Sequence, residues 1–502
     1  MKKSRPAAPR KPSLTRRQAL KAACRGLGGL AVAASLEGLE GCGAMPNNRC
    51  LQGGAAAAAA DGGAAPSPSL ATARGLLAGV DHLVVVFMEN RSFDHFLGGL
   101  SLDAAYPAAR ALDGIKGDEQ NPDGAGQMVK MSLLSGNGTY NPRHDWLSSR
   151  VAWNNGQNDG FVRANADQGL ADDSQVMTYL DRGHLPFCYG LAGQSTLCER
   201  WFSSVMGPTW PNRFYMHAAT SNGQTGNLPM GLDAADTIWD RLAEQCLAGK
   251  NYYAGGVPWY SVAFPSKSFS GNDAMTPEPI DGFFRDAASG NLPPFSLVDP
   301  DFEVNDAHPP HDLALAEAFL SSVHRALVNG PAWARTMLVI TFDEHGGFYD
   351  HVAPPTTVDA DADFRQLGFR VPALVAGPMV RAGRVVSTPF EHVSVAATLR
   401  ARFGIRSLNA RMDAANDLSS CVDPALASAP PASTSAALLP AVELAGTLAR
   451  GGALHRTSQP EVHRLARRGG TPLHHLDLRS PYERVSSWLR RAQELEAVRV
   501  VG

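Results

Sequence analysis

Two β-branched apolar runs of strand length set the frame of this chain: His82 to Phe87 (HLVVVF) and, some 250 residues later, Thr336 to Phe342 (TMLVITF). Their hydrophobicity is continuous, which marks strands covered on both faces, as in a parallel sheet flanked by helices. Phe295 to Val298 and Val371 to Ala376 share this character. Between them the spacing predicts helices. One covers 312–328, with Leu313, Ala316, Leu320, Val323 and Leu327 on one face and a stop at Gly330-Pro331; another covers about 391–403. The expected fold class is α/β: a three-layer α/β/α sandwich on a mostly parallel central sheet, with long loops at one end. With 44% hydrophobic and 19% charged residues, the chain is neither wholly disordered nor a coiled coil. A formal net charge of −3 gives no reason to expect nucleic acid as a partner.

Both strong runs end in carboxylates. The first leads into Glu89-Asn90-Arg91-Ser92-Phe93-Asp94-His95 and the second into Asp343-Glu344-His345-Gly346-Gly347-Phe348-Tyr349-Asp350-His351. In open α/β sheets, ligands bind outside the carboxyl ends of the strands. Glu89, Asn90, Asp343 and Glu344 are therefore the candidate metal ligands, because three carboxylates and an amide oxygen converging there repel one another unless a divalent cation neutralises them. Hard oxygens suit magnesium, calcium or manganese, and zinc also accepts carboxylates.

Thr209, in Gly207-Pro208-Thr209-Trp210-Pro211-Asn212-Arg213, precedes an expected helix over Asn212 to Ala219. A helix N-terminus favours an anion such as phosphate, which makes the Thr209 hydroxyl a candidate nucleophile. His144 and His308 each lie in a turn-rich loop near an acid that orients the ring, and are candidates for stabilising a transferring group or protonating a leaving oxygen. His345, His351 and His392 are weaker candidates.

The ends of the chain read differently. Residues 1–25 hold nine Lys or Arg and no acid, and Gly26 to Leu36 is a short uncharged stretch, the pattern of a cleavable export signal. Ser13 to Lys21 (SLTRRQALK) resembles the twin-arginine signal, and Leu39-Glu40-Gly41-Cys42 resembles a lipobox, with Glu40 departing from the usual small residue. The expected organisation is a signal over 1–41, a Gly/Ala/Pro-rich tether over 42–78, a catalytic domain over 79–423, a linker over 424–440 and a basic tail over 441–502, helical over Tyr482 to Val498. The expected location is periplasmic, anchored at the outer membrane, or secreted. Without residues 1–41 the chain carries −10. Membrane contact, if made, runs through a lipid on Cys42 or through the tail, although such a tail more often packs on its own domain. Export leaves Cys50, Cys188, Cys198, Cys246 and Cys421 besides Cys42, so at least one of these five is free or paired elsewhere.

ENRSFDH, GPTWPNR and DEHGGFYDH, in that order, together with Arg370-Val371-Pro372 and Leu185 to Phe202 (LPFCYGLAGQSTLCERWF), closely resemble the bacterial phosphoesterase family of phospholipases C and an acid phosphatase. The resemblance spans about Val80 to Ile405 and implies an alkaline-phosphatase-like fold. It also implies that Glu89, Asn90, Asp343 and Glu344 hold the metal, that Thr209 attacks phosphorus, and that His144 and His308 surround the phosphate. The acid phosphatase carries an additional histidine pair where this chain has Lys250 to Tyr260 (KNYYAGGVPWY) without histidine. The expected activity is phospholipase C cleavage of phosphatidylcholine-type lipids. The alternatives are a broad phosphomonoesterase acting on small phosphate esters or, from another class, a non-catalytic surface-binding lipoprotein. Trp146, Trp153, Trp201, Trp210, Trp259 and Tyr260 are either a cation–π wall for choline or core.

Overall fold

β-Branched residues fit a pleated, covered surface better than a helix, and the two strongest runs form neighbouring strands at the centre of an eight-stranded sheet. In chain order these strands are β1 (His82–Met88), β2 (Thr196–Cys198), β3 (Gly249–Tyr253), β4 (Thr276–Pro279), β5 (Phe295–Asp299), β6 (Thr336–Phe342), β7 (Ala373–Ala376) and β8 (Arg384–Val386). Across the sheet they run β8-β2-β7-β6-β1-β5-β3-β4. β1 and β6 are parallel, from His82 opposite Thr336 to Met88 opposite Phe342. The other pairings are also parallel, except those of β7, which is antiparallel to both β6 and β2. The sheet is thus mostly parallel, as expected from the continuous runs. Leu83 to Met88 are buried throughout, each large aliphatic or aromatic side chain worth about 1.5–3 kcal/mol.

The computed structural model describes residues 68–166, 173–231, 235–269, 275–429, 438–449, 457–470 and 475–502. All belong to one unit, residues 52–502. The export signal, the lipobox at Cys42, most of the tether and residues 430–437 of the linker lie outside the described residues.

Helices cover both faces of the sheet. The principal ones are α1 (Trp146–Trp153), α2 (Thr209–Ala218), α3 (Leu313–Val328), α4 (Val393–Phe403) and α5 (Pro481–Glu494). α4 packs with α2 and with the helix Pro68–Leu77, while α3 packs with the helices Pro186–Ala192 and Ile280–Ser289 and with α5. α3 starts where its cap predicts: the Asp312 carboxylate accepts the Ala314 N–H at 2.9 Å.

Several expectations change. Pro68–Leu77, placed in the tether by its composition, is a helix that buries Ala73 and Leu77. The C-terminal helix ends at Glu494, and Val498–Val501 instead forms a strand parallel to Val442–Ala445. This segment packs on the catalytic region: Trp488 is buried with its ring 6.2 Å from Phe319, and Arg484 pairs with Asp301 at 2.8 Å. Trp201, Trp210, Trp259 and Tyr260 are buried. Trp210 and Trp259 pack edge to face at 5.5 Å, so these side chains are core and form no wall open to choline. Cys188, Cys198 and Cys421 are free and buried, and Cys246 is disulfide-bonded.

Candidate active site

The register of β1 against β6 builds the site. Because Met88 lies opposite Phe342, Glu89 and Asn90 leave one strand beside Asp343 and Glu344 leaving the other. Backbone bonds extend this pairing past the strand ends: Asp343 N–H donates to Met88 O at 3.1 Å, and Glu89 N–H donates to Asp306 O at 2.9 Å. One oxygen of Asp343, Oδ1, accepts the N–H groups of Asn90 at 2.8 Å and Glu344 at 2.7 Å. Asn90 adopts a left-handed conformation with φ of 44°, which asparagine tolerates better than most residues. Gly346, with φ of 65°, passes so close that a Cβ there would lie 2.2 Å from Asn90 O, so only glycine fits.

α2 brings in the nucleophile candidate. The helix opens at Thr209 with Pro208 as its cap, three residues earlier than the expected start at Asn212. Asn212 does other work: its side chain accepts the Val205 N–H at 2.9 Å and donates to Gly207 O and Pro208 O at 3.0 and 3.1 Å, fixing the turn that presents Thr209. The Thr209 hydroxyl faces Glu89 Oε2 at 3.4 Å and Asn90 Oδ1 at 3.5 Å. One helical turn on, Arg213 lies on the same face. It donates to Glu89 Oε1 at 2.6 and 2.9 Å, to Asp299 Oδ1 at 2.7 Å and to Phe87 O at 3.0 Å.

Burial makes this group of acids electrostatically expensive. Desolvation, reinforced by the neighbouring Asp343, raises Glu89 well above the usual carboxylate range despite Arg213. It also lifts Asp343 to about 6 and Glu344 to about 8. Asp343 Oδ2 and Glu344 Oε1 are buried without a hydrogen-bond partner. Such orphaned oxygens are costly unless something satisfies them, and hard anionic oxygens beside an amide oxygen have the chemistry that suits a divalent cation. Among the described residues, no three His, Cys, Asp or Glu side chains close around a common point as they stand. The fit to a cation therefore rests on these donors and not on a finished cage.

The histidines line one side. The His144 Nδ1–H donates to Pro142 O at 2.7 Å, and its Nε2 accepts from Asn90 Nδ2 at 3.1 Å and lies 3.6 Å from Glu344 Oε1. His308 reaches the group through His144, ring edge to face at 5.9 Å. Its Nδ1–H is committed to Pro309 O at 2.5 Å, and burial pulls its pKa down to about 3, so it stands neutral. Of the weaker candidates, His392 donates from Nε2 to Asp343 O at 2.6 Å while accepting from Trp201, and so braces the strand end. His345 Nδ1 lies 3.1 Å from Glu344 Oε2. His351 sits apart, between Asp94 at 2.7 Å and Asp113 at 3.1 Å. The structure thus gathers Glu89, Asn90, Asp343, Glu344, Thr209 and His144 directly, with His308 behind His144.

Sequence reasoning missed Arg213, Asp299 and Gln459, and the neighbouring acids expected to orient the His144 and His308 rings do not: each Nδ1–H goes to a backbone carbonyl, Pro142 O and Pro309 O. Arg213 had a local signal, its spacing of four residues from Thr209 on one helix. Asp299 closes β5 as Glu89 follows β1, and so shares the strand-end signal. Asp306 accepts from His311 at 2.5 Å and from the backbone of His308 at 3.0 Å. Gln459 lies 250 residues beyond Thr209, with no pattern around it to mark it. A cavity of about 650 Å³, within the range of small-molecule sites, opens beside His144, Trp146, Pro208 and Asn227.

The model of the Phosphoesterase family matches residues 80–406. The chain belongs to the Phosphoesterase family. It is accordingly a phosphoric ester hydrolase. Non-specific phospholipase C1 of Arabidopsis thaliana is 33% identical to this phosphoesterase over 365 residues, 65% of this chain and 67% of that protein. Phospholipase C B of Mycobacterium tuberculosis is 30% identical over 402 residues, 68% of this chain and 76% of the other. Among solved structures, a protein of the alkaline phosphatase superfamily from Vibrio parahaemolyticus overlaps 71% of this chain and 79% of its own at 10% identity, with a TM-score of 0.34.

Proposed function

We propose that this phosphoesterase is a phospholipase C-type phosphodiesterase that cleaves phosphatidylcholine-type lipids to diacylglycerol and a phosphorylated head group. The observation that carries the reading is Thr209: a hydroxyl at a helix N-terminus, hydrogen-bonded into a buried carboxylate group beside an open cavity. The names of the relatives, phospholipases C, support the diester class. Leu147 and Leu228, 73% and 55% exposed, flank the cavity-lining Trp146 and Asn227, and an apolar rim of this kind suits acyl chains at a membrane surface.

In this mechanism Thr209 Oγ1 attacks phosphorus in line, its proton passing to the facing Glu89 carboxylate. The bond from phosphorus to the glycerol oxygen breaks, and the departing diacylglycerol oxygen takes a proton from His144 Nε2, which in this step carries a proton and no longer accepts from Asn90 Nδ2. Water then attacks phosphorus and gives its proton to His144 Nε2, while the proton on Glu89 returns to Thr209 Oγ1 as its bond to phosphorus breaks, which restores the hydroxyl and both side chains. Pro211 has no N–H and the Trp210 N–H donates to Asn227 Oδ1 at 3.0 Å, so the N-terminal end of α2 favours the charge of a phosphate mainly through the helix dipole. A divalent cation held by Asn90, Asp343 and Glu344, with Glu89 as a fourth ligand while it is ionised, would neutralise their charge and polarise the ester. The basic twin-arginine segment and the Leu39-Glu40-Gly41-Cys42 box support action outside the cytoplasm, in the periplasm, at the outer membrane or beyond the cell.

The test compares two substrates at equal enzyme concentration: phosphocholine released from phosphatidylcholine, and phosphate released from an aryl phosphomonoester. The proposal expects the lipid diester to be the better substrate by kcat/KM. A monoester preference of orders of magnitude would sink it in favour of a broad phosphatase, and no turnover of either would point to a binding protein.

A further inference from the structure

The residue that touches both the nucleophile and the carboxylate group, yet lies outside the family match, is Gln459. It enters from the C-terminal segment, just ahead of the short helix Pro460–Leu465, and is 1% exposed. Its amide Nε2 donates to Glu89 Oε2 at 2.7 Å and to Thr209 Oγ1 at 3.4 Å. Its Oε1 accepts the indole N–H of Trp210 at 2.8 Å. An indole nitrogen only donates, so Trp210 fixes which end of the amide is oxygen and aims the NH2 at Glu89 and Thr209. The preceding residue anchors the segment: Ser458 Oγ donates to Asp306 Oδ2 at 2.5 Å, and the Ser458 N–H donates to Phe302 O at 2.7 Å.

We propose that Gln459 is a positioning residue of the catalytic site, supplied by the C-terminal segment, which holds Glu89 Oε2 in place and donates a hydrogen bond to the Thr209 oxygen. The inference rests on the proposed role of Thr209 as nucleophile. An N–H directed at Oγ1 occupies one of its lone pairs and stabilises the negative charge that grows there as the proton leaves. The other N–H of the same amide keeps Glu89 turned toward Thr209 as the proton acceptor. Trp210, adjacent to the nucleophile on α2, completes the chain of contacts, so the segment and the helix are read as one unit.

The test uses the full chain with Gln459→Glu, Gln459→Ala and Trp210→Phe, measured on phosphatidylcholine and on an aryl phosphomonoester. Gln459→Glu keeps the shape but replaces the donor by an acceptor. The expected result is a ten- to hundredfold fall in kcat for both Gln459 variants with KM within threefold, and a smaller fall for Trp210→Phe, in which the amide is free to turn over. A second readout titrates manganese into metal-stripped protein and follows the melting temperature. Gln459→Ala, with Glu89 no longer held, is expected to need about tenfold more manganese for half the rise. Unchanged kcat in folded Gln459→Glu and Gln459→Ala, with only the melting temperature lowered, would overturn the proposal and leave Gln459 a structural clamp. If Thr209→Ala retains wild-type turnover, the nucleophile assignment fails instead, which separates the two outcomes.

Discussion

At the residue scale, Arg213 shows how a single side chain makes a buried acid group tolerable. Its guanidinium spans Glu89 and Asp299, both fully buried, and a planar fork of donors suits that task better than an ammonium point charge. Arg213→Met leaves two uncompensated carboxylates, and the expected cost is about 3–5 kcal/mol of stability in urea unfolding, the range for breaking a buried pair. Arg213→Lys should recover part of that stability but not the turnover, because it cannot hold both acids at once. Equal stability of all three proteins would show that the Arg213 pairing does not stabilise the folded state.

His351 is a second residue with a measurable signature. Burial pulls its pKa down, but the hydrogen bond and charge of Asp94 win and raise it to about 9, above the unfolded value near 6.5. A group whose folded pKa is raised contributes stability fully below the unfolded pKa and loses it as pH rises through the folded one. Stability should therefore fall between about pH 6.5 and 9, and His351→Gln should flatten that part of the profile in pH-dependent chemical unfolding. A slope unchanged in the variant would assign it to another group.

At the element scale, the site forms where elements meet at strand ends. β1 and β6 in parallel register bring four of the seven candidate residues together, and α2 supplies Thr209 and Arg213 one turn apart. α5 matters because it fastens the C-terminal segment to the same unit. Arg484 and Asp301 form a buried pair, and Glu303 takes a second guanidinium nitrogen at 2.6 Å. Arg484→Ala is expected to cost about 3–5 kcal/mol, read by chemical unfolding, and to raise the protease sensitivity of residues beyond 440. A loss below about 1 kcal/mol, the size of a surface pair, would mean that α5 is not docked through this contact.

At the scale of the whole molecule, what the sequence disclosed follows from the range of each interaction. Continuous apolar runs are a local signal, so β1, β5, β6 and α3 were legible, along with the acids that follow β1 and β6. β2 and β8 are three residues long and carry too little pattern to stand out. The reversal of β7 is a matter of connection and not of composition, so its run of apolar residues was visible while its direction was not. Pro68–Leu77 was hidden by the Ala- and Pro-rich stretch before it, although Leu70, Ala73 and Leu77 keep helical spacing. Gln459 had no local mark, because its role exists only after the chain returns to α2 from the far end.

The site converges on one hydroxyl, and one measurement tests its role most directly: turnover of phosphatidylcholine by Thr209→Ala beside wild type, with folding checked by melting temperature. Loss of a nucleophile that forms a covalent intermediate should lower kcat by about a thousandfold or more, with the melting temperature little changed. A folded Thr209→Ala protein that releases phosphocholine within tenfold of the wild-type rate would contradict the account.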